Sequence, residues 1–409
     1  MLNSFNLCNR LIIKNILFID SDYRYCIHLQ SILNEIEVMS TKETENSIQS
    51  AQNFKLEGQI LDSIPFGSGH INDTFKITTD SPNNNLYLLQ RVNHHIFQDV
   101  HGLMNNIEMV CNHLKKKLAY LGEEEVQKRT MTIVQTYDHK NYYLDEKGDY
   151  WRVFFLIPNT RSYDILETQE QAFSGGMAFG QFQKQLSDLD PNKIIEILPN
   201  FHNIEFRLNN LREAIEKDPA SRVAKVQDLL DYIFEREEKM RTVLELGRSN
   251  KLPLRITHND TKFNNVLLDK DDNVQCVIDL DTVMPGYVAY DFGDAIRTII
   301  NSAAEDEADT SKIVLNIPLF QSFTSGYLSE AKDFLTESEV DSLIPAVHLL
   351  PYMQAVRFLT DYINGDTYYK IAYPEHNLVR TKAQLKLVHE LEVNNDKLTD
   401  ILVENLMSN

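Results

Sequence analysis

The stretch THNDTKFNNVLLDKDDNVQCVIDLD, residues 257 to 281, constrains this chain more than any other. A polar loop, HNDTKFNN, is followed by two apolar runs, NVLL and VQCVI, with the turn-forming DKDDN between them. That is the pattern of a loop leading into a β-hairpin. Asp260 and Asn265 lie in the loop, and Asp279 closes the second apolar run after a tight turn.

Phosphoryl transfer needs a carboxylate to take or orient the proton of the acceptor hydroxyl, and oxygen ligands to hold magnesium against the phosphates. HNDTKFNN fits the pattern HxDxxxxN. Asp260 is then the base, Lys262 reaches the transferring phosphate, and Asn265, five residues after the base, offers its amide oxygen to magnesium. Asn264 is out of register and reads as structural, as does His258 in support of the loop. The spacing alone is common; together with Asp279 at a strand end it becomes specific. The plain alternative for VIDLD is a strand end with solvated aspartates.

A literal DFG, Asp291 to Gly293, lies further on. It follows MPGY, read as a turn, and opens the helical pattern YDFGDAIRTIINSA. A carboxylate at a helix N-terminus caps backbone N–H groups or buttresses a neighbouring loop. Asp291 is therefore expected to support the catalytic loop and Asp279 to take the metal, with the reverse left open. Asp281 stands where a protein-kinase DFG has its glycine, and serves the second metal or only its water shell.

Upstream, residues 55 to 89 read as short strands with a glycine turn, PFGSGHINDTF, and a hairpin turn at SPNNN. Gly67 and Gly69 let backbone approach phosphates or substrate. The next strand offers Gln90 and Arg91, of which Arg91 is expected to meet the α and β phosphates, with Glu108 on the following helix as its carboxylate partner. Strands return at MTIVQTYDHKNYYLDEKGDYWRVFFLI, and beyond Pro158 the pattern is mostly helical. A strand-rich lobe precedes a helix-rich one. Residues 1 to 50 are expected to be an extension: NRLIIKNILFIDSD reads as a strand, its FIDSD resembling the first of a receiver domain with too few residues following to complete one, and STKETENSIQSAQN as a linker; either Met39 between them is the start or the upstream part is a dispensable appendage.

The 409 residues suffice for two cores, and a net charge of −20 disfavours nucleic acid and anionic membranes, so an anionic nucleotide needs a local cation or metal. Cys8, Cys26, Cys111 and Cys276 show no paired or metal-ligand spacing, which points to a reducing, cytoplasmic setting. No apolar run reaches membrane-spanning length, and LIIKNILFI lacks a cleavage site.

These motifs resemble the aminoglycoside phosphotransferase and choline kinase superfamily, and more closely the bacterial N-acetylhexosamine 1-kinases. FGSGHINDTF, YLLQRVNHHIF, YWRVFFLIPNTRSYD, LPNFHNIEFR and RFLTDYINGDTYYK are similar to segments of that subfamily in the same order, over residues 55 to 375. The resemblance implies an α+β chain with a protein-kinase-like two-lobe fold, an antiparallel-sheet N-lobe (51–157) and a mainly helical C-lobe (158–409). It implies ATP and Mg2+ as cofactors, a small sugar as partner, and transfer to the anomeric hydroxyl of N-acetylglucosamine or N-acetylgalactosamine. It carries the base role to Asp260, magnesium to Asn265 and Asp279, and sugar contacts to His70, Arg357 and Tyr368; the FFLI segment with Phe155 and Ile157 becomes the adenine hinge. Read without it, His70 is a turn residue, and Arg357 and Tyr368 lie at helix surfaces or ends. His202 and Arg207 line the substrate side or pack a loop. Two other functions fit the residues: a kinase for another small alcohol, or a catalytically silent nucleotide-binding protein.

Overall fold

The computed structural model describes residues 42–67, 71–83, 85–301 and 303–407. Six strands build the first lobe: β1 (Ile60–Pro65), β2 (Asp73–Thr79), β3 (Leu86–Val92), β4 (Ile133–Val134), β5 (Tyr143–Leu144) and β6 (Tyr150–Phe155). They pair antiparallel in the order β1-β2-β3-β6-β4, with β5 also on β6. The cause is two-residue periodicity: Phe75 and Ile77 of β2, Tyr87 and Leu89 of β3 and Trp151 and Val153 of β6 alternate onto one face and form a common core.

Residues 42–51 form a helix, α1, where the polar composition suggested a linker. Ser47, Ser50 and Ala51 are buried, and Ser47 Oγ bonds Ser63 Oγ of β1 at 2.6 Å. Small side chains at helical spacing let α1 lie close on the sheet, and the shared hydroxyl contact removes the cost of burying them. Two more helices complete this half of the chain, α2 (Val100–Leu118) and α3 (Glu123–Arg129).

The second lobe is mainly helical: α4 (Gln169–Leu186), α5 (Ile204–Lys217), α6 (Gln227–Met240), α7 (Thr242–Arg248), α8 (Val288–Ile299), α9 (Ile317–Ala331), α10 (Glu337–Ile363), α11 (His376–Val393) and α12 (Asn395–Met407). Helices α4 and α9 meet backbone to backbone. A Cβ on Gly176 would lie 2.0 Å from the Phe323 carbonyl oxygen, and one on Gly326 equally close to that of Phe173. The glycines of SGGMAFG are thus a packing device.

Two small sheets carry the loops that matter. β7 (Arg255–Thr257) pairs with β10 (Met284–Gly286), and β8 (Val266–Leu268) pairs with β9 (Val274–Val277). MPG is therefore a strand, not the turn its Pro-Gly composition suggested. A two-stranded ribbon is all edge, so Pro285 forfeits little pairing, and Gly286 is needed because a Cβ would sit 2.3 Å from Thr257 Oγ1. Among the described residues no helix is long and apolar enough to cross a membrane.

Candidate active site

The loop His258–Lys262 follows β7, and helix α8 holds it from below. The Asp291 carboxylate, 1% exposed, accepts the backbone N–H groups of His258 (2.9 Å) and Asn259 (2.7 Å) and the Gln183 amide (2.9 Å). Burial pushes the Asp291 carboxyl up, while these donors favour its charged form. One turn on, Asp294 accepts the N–H of Thr261 at 3.1 Å and pairs with Arg297 at 3.0 Å. The literal DFG thus supplies a clamp on the loop, through Asp291.

His258 is fully buried. Its Nε2–H donates to the Ile278 carbonyl (2.9 Å), its Nδ1 accepts the N–H of Asp260 (3.3 Å), and Phe179 and Phe182 present edges to the ring. One imidazole therefore joins the loop to the end of the β8–β9 hairpin. Asn259 adopts φ +65°, and its amide donates to the Thr282 carbonyl at 2.9 Å. These contacts turn Asp260 and the residues after it toward the cleft.

Lys262 Nζ lies 3.1 Å from Asp260 Oδ1, and that carboxylate holds the ammonium above its usual range. Asn265 donates its amide N–H to the Asp260 carbonyl at 2.9 Å, a bond that does not engage its Oδ1. Asp279, at φ +60°, lies two residues past the end of β9. It opens to the cleft on one side and is crowded by protein on the others. That crowding, then the carboxylates of Asp281 and Asp260, push its carboxyl up to about 7. Asp279 and Asn265 offer hard oxygens where negative charge is in excess, the donor set that suits magnesium completed by phosphate oxygens. The residues present therefore fit that ion.

Arg152 of β6, which the sequence did not single out, spans the lobes. Its guanidinium forks onto Asp281, Nη1 to Oδ1 at 2.5 Å and Nη2 to Oδ2 at 2.9 Å, with both side chains buried. Support comes from the neighbouring strand, where Gln90 Oε1 accepts Arg152 Nε–H at 3.0 Å, and Asn72 adds an amide N–H to Asp281 at 2.7 Å. Asp281 is thus held by the N-lobe.

The expected pairing of Arg91 with Glu108 is not found. Arg91 pairs with Asp73 at 2.6 Å and Asp149 at 3.4 Å, over the Trp151 ring. Alternation along β3 is the reason: Arg91 shares the face of Tyr87 and Leu89, whereas Gln90 lies opposite Arg152 and shares the face turned to the C-lobe. Glu108 is half-buried on α2. Phe155 ends β6 with its ring on Tyr87 at 5.1 Å, and Ile157 beyond it is buried. Gly67 sits at φ +81° in the turn after β1. Gly69 and His70 lie outside the described residues.

A cavity of about 360 Å³ between α5 and α10 includes Arg207, Arg357 and Tyr368 in its wall. Tyr368 is 64% exposed; Arg357 lies over the rings of Phe201 and Tyr369. His202 connects this wall to the His258–Lys262 loop: its Nε2–H donates to the Asn259 carbonyl at 3.2 Å, and burial pushes the imidazole down to about 4. Of the sequence-selected residues, Asp260, Lys262, Asn265 and Asp279 share one edge of the cleft; Arg207, Arg357 and Tyr368 share the cavity.

Residues 62–313 match the family described as the phosphotransferase enzyme family. Solved structures share the fold at low identity. An amicoumacin kinase in complex with AMP-PNP, Ca2+ and Ami aligns at 10% identity and a TM-score of 0.55, over 87% of this chain and 96% of that one. An aminoglycoside phosphotransferase from Alicyclobacillus acidocaldarius aligns at 14% and 0.52, over 87% and 94%. A choline kinase from Cryptosporidium parvum aligns at 14% and 0.51, over 85% and 93%.

Proposed function

The chain belongs to the phosphotransferase enzyme family, and from that premise we propose that it moves the γ-phosphoryl group of ATP to the anomeric hydroxyl of an N-acetylhexosamine, giving the sugar 1-phosphate. The observation that carries the reading is the loop in which Asp260, Lys262 and Asn265 face Asp279 at one edge of the cleft. The amicoumacin kinase that shares the fold holds a nucleotide analogue and a divalent cation, which supports ATP with a metal here.

In this reading Asp260 orients the acceptor hydroxyl and takes its proton as the oxygen bonds to the γ-phosphorus. The bond from that phosphorus to the bridging oxygen breaks, and ADP leaves. Lys262 sits beside the base, placed to meet charge on the transferring group. Asn265 and Asp279 would hold Mg2+, which when bound neutralises phosphate charge. Asp291 and His258 contribute by fixing the loop, so catalysis is mainly positioning. His70, Arg357 and Tyr368 are assigned to the sugar on the resemblance to N-acetylhexosamine 1-kinases. The segment at Phe155 and Ile157 is assigned to adenine, and the glycine turn at Gly67 and Gly69 to the phosphates.

The test is phosphorus NMR of purified protein with ATP, Mg2+ and a mixture of N-acetylglucosamine and N-acetylgalactosamine. A sugar phosphate signal coupled to the anomeric proton is the expected result. Asp260→Asn should keep ATP binding and lose roughly a thousandfold in turnover. A variant with near-normal rate removes Asp260 from the role of base.

A further inference from the structure

The wall of the α5–α10 cavity has an unusual charge arrangement for so acidic a chain. Arg207 from α5 and Arg357 from α10 line the same cavity, and among the described residues neither forms an ion pair with a carboxylate. Arg207 donates to the Phe201 carbonyl at 2.9 Å, and its Nε has no acceptor. Arg357 donates to the Gln354 side-chain oxygen at 3.2 Å. A guanidinium carries five N–H donors, so most of both forks is uncommitted.

The acids nearby do not neutralise them. Asp361 is saturated by the backbone N–H groups of Thr367, Tyr368 and Tyr369 and by Asn377. Glu213 is paired with Lys217 at 3.2 Å. Stacking on Phe206, Phe201 and Tyr369 orients the two planes without cancelling their charge. Burial, then the charge of Arg357, pulls the Arg207 guanidinium down to about 10. Two cations held together against mutual repulsion form an arrangement that an anion would relieve.

We propose that Arg207 and Arg357 bind an oxyanion, a carboxylate or phosphate, carried by the acceptor, so that the preferred substrate is an acidic derivative of the amino sugar rather than the neutral sugar. The inference rests on the phosphotransferase reading for its placement of the acceptor in this cavity, which reaches the catalytic loop through His202 and Asn259. It supplies a basis for selectivity: a paired guanidinium site rejects an analogue lacking the anion, because its buried donors then stay unpaired.

Titration calorimetry with the wild-type chain compares N-acetylglucosamine, N-acetylglucosamine 6-phosphate and N-acetylmuramic acid, the last two carrying a phosphate and a carboxylate. Binding of at least one acidic sugar about tenfold tighter than the neutral one is expected, with a Kd that weakens as salt rises. Arg207→Gln and, separately, Arg357→Gln should erase that preference, each checked for folding by circular dichroism melts; Arg207→Lys should retain part of it. Which acidic sugar wins assigns the anion to phosphate or carboxylate. Equal binding of all three sugars, or a preference that survives both folded glutamine variants, overturns the proposal. Turnover of the same sugars separates the two readings. Arg-dependent binding of an acidic sugar without phosphorylation of any sugar keeps the anion site and removes the sugar kinase; phosphorylation of neutral sugar with no acidic preference does the reverse.

Discussion

His348 lies on α10 at 2% exposure, and neither ring nitrogen has a hydrogen-bond partner among the described residues. Burial, then the charge of Lys239, pushes its imidazole down to about 4 from 6.5. A histidine depressed in the folded state contributes stability that is present above its unfolded value and is lost as pH falls through the folded one, here between about 6.5 and 4. Full loss amounts to about 3 kcal/mol, at 1.36 kcal/mol per unit. His348→Leu should therefore gain about 1 kcal/mol at pH 7 by removing an unpaired buried donor and an unpaired buried acceptor. Its advantage over wild type should widen towards pH 4 in urea melts. A pH-independent difference would assign the acid sensitivity to other groups, with His202 the first to examine because burial pushes it down similarly.

Between elements, the decisive contact is the fork of Arg152 on β6 to Asp281 after β9. Removing one partner of a buried ion pair leaves the other charge without compensation, which costs about 3–5 kcal/mol. Arg152→Met is expected to lower stability by that amount and to weaken nucleotide binding, because Asp281 then stands unneutralised beside Asp279. Arg91→Met, which breaks a half-exposed pair, should cost about 1 kcal/mol or less. Equal losses in the two variants would show that the fork is not what joins the lobes. The contrast also shows how legible the site was. Asp260, Asn265 and Asp279 were readable because they lie on one continuous stretch whose turn and apolar runs fix their order. Arg152 was not, since WRVFF reads as a core strand and the choice between two strand arginines depends on which face each presents. The helix α1 was hidden for a related reason: serines signal solvent in a sequence, yet Ser47 spends its hydroxyl on Ser63 inside the lobe.

At the scale of the whole molecule, the sheet, the helical lobe and their order followed from periodicity, and the described residues form both. The net charge of −20 acts at this scale too. Raising sodium chloride from ~20 to ~300 mM shortens the screening length from ~20 to ~6 Å, which weakens self-repulsion across the surface more than contacts within buried pairs. For a chain of 409 residues the melting temperature should rise by about 1 °C for each kcal/mol so gained. A fall would mean that the exposed pairs, such as Lys128 with Glu124, outweigh the excess of like charge.

The tripeptide Asp279-Leu280-Asp281 divides its loyalties. Leu280 is anchored in the core at 1% exposure, Asp281 answers to an arginine of the opposite lobe, and Asp279 faces the cleft between them. The lobes cannot swing apart like covers of a book without tearing a charged clasp two residues beyond Asp279. On the proposed function, traffic of nucleotide and acceptor would then be better served by the open rim of a closed case than by its spine, and any strain on the clasp would be felt at once beside Asp279.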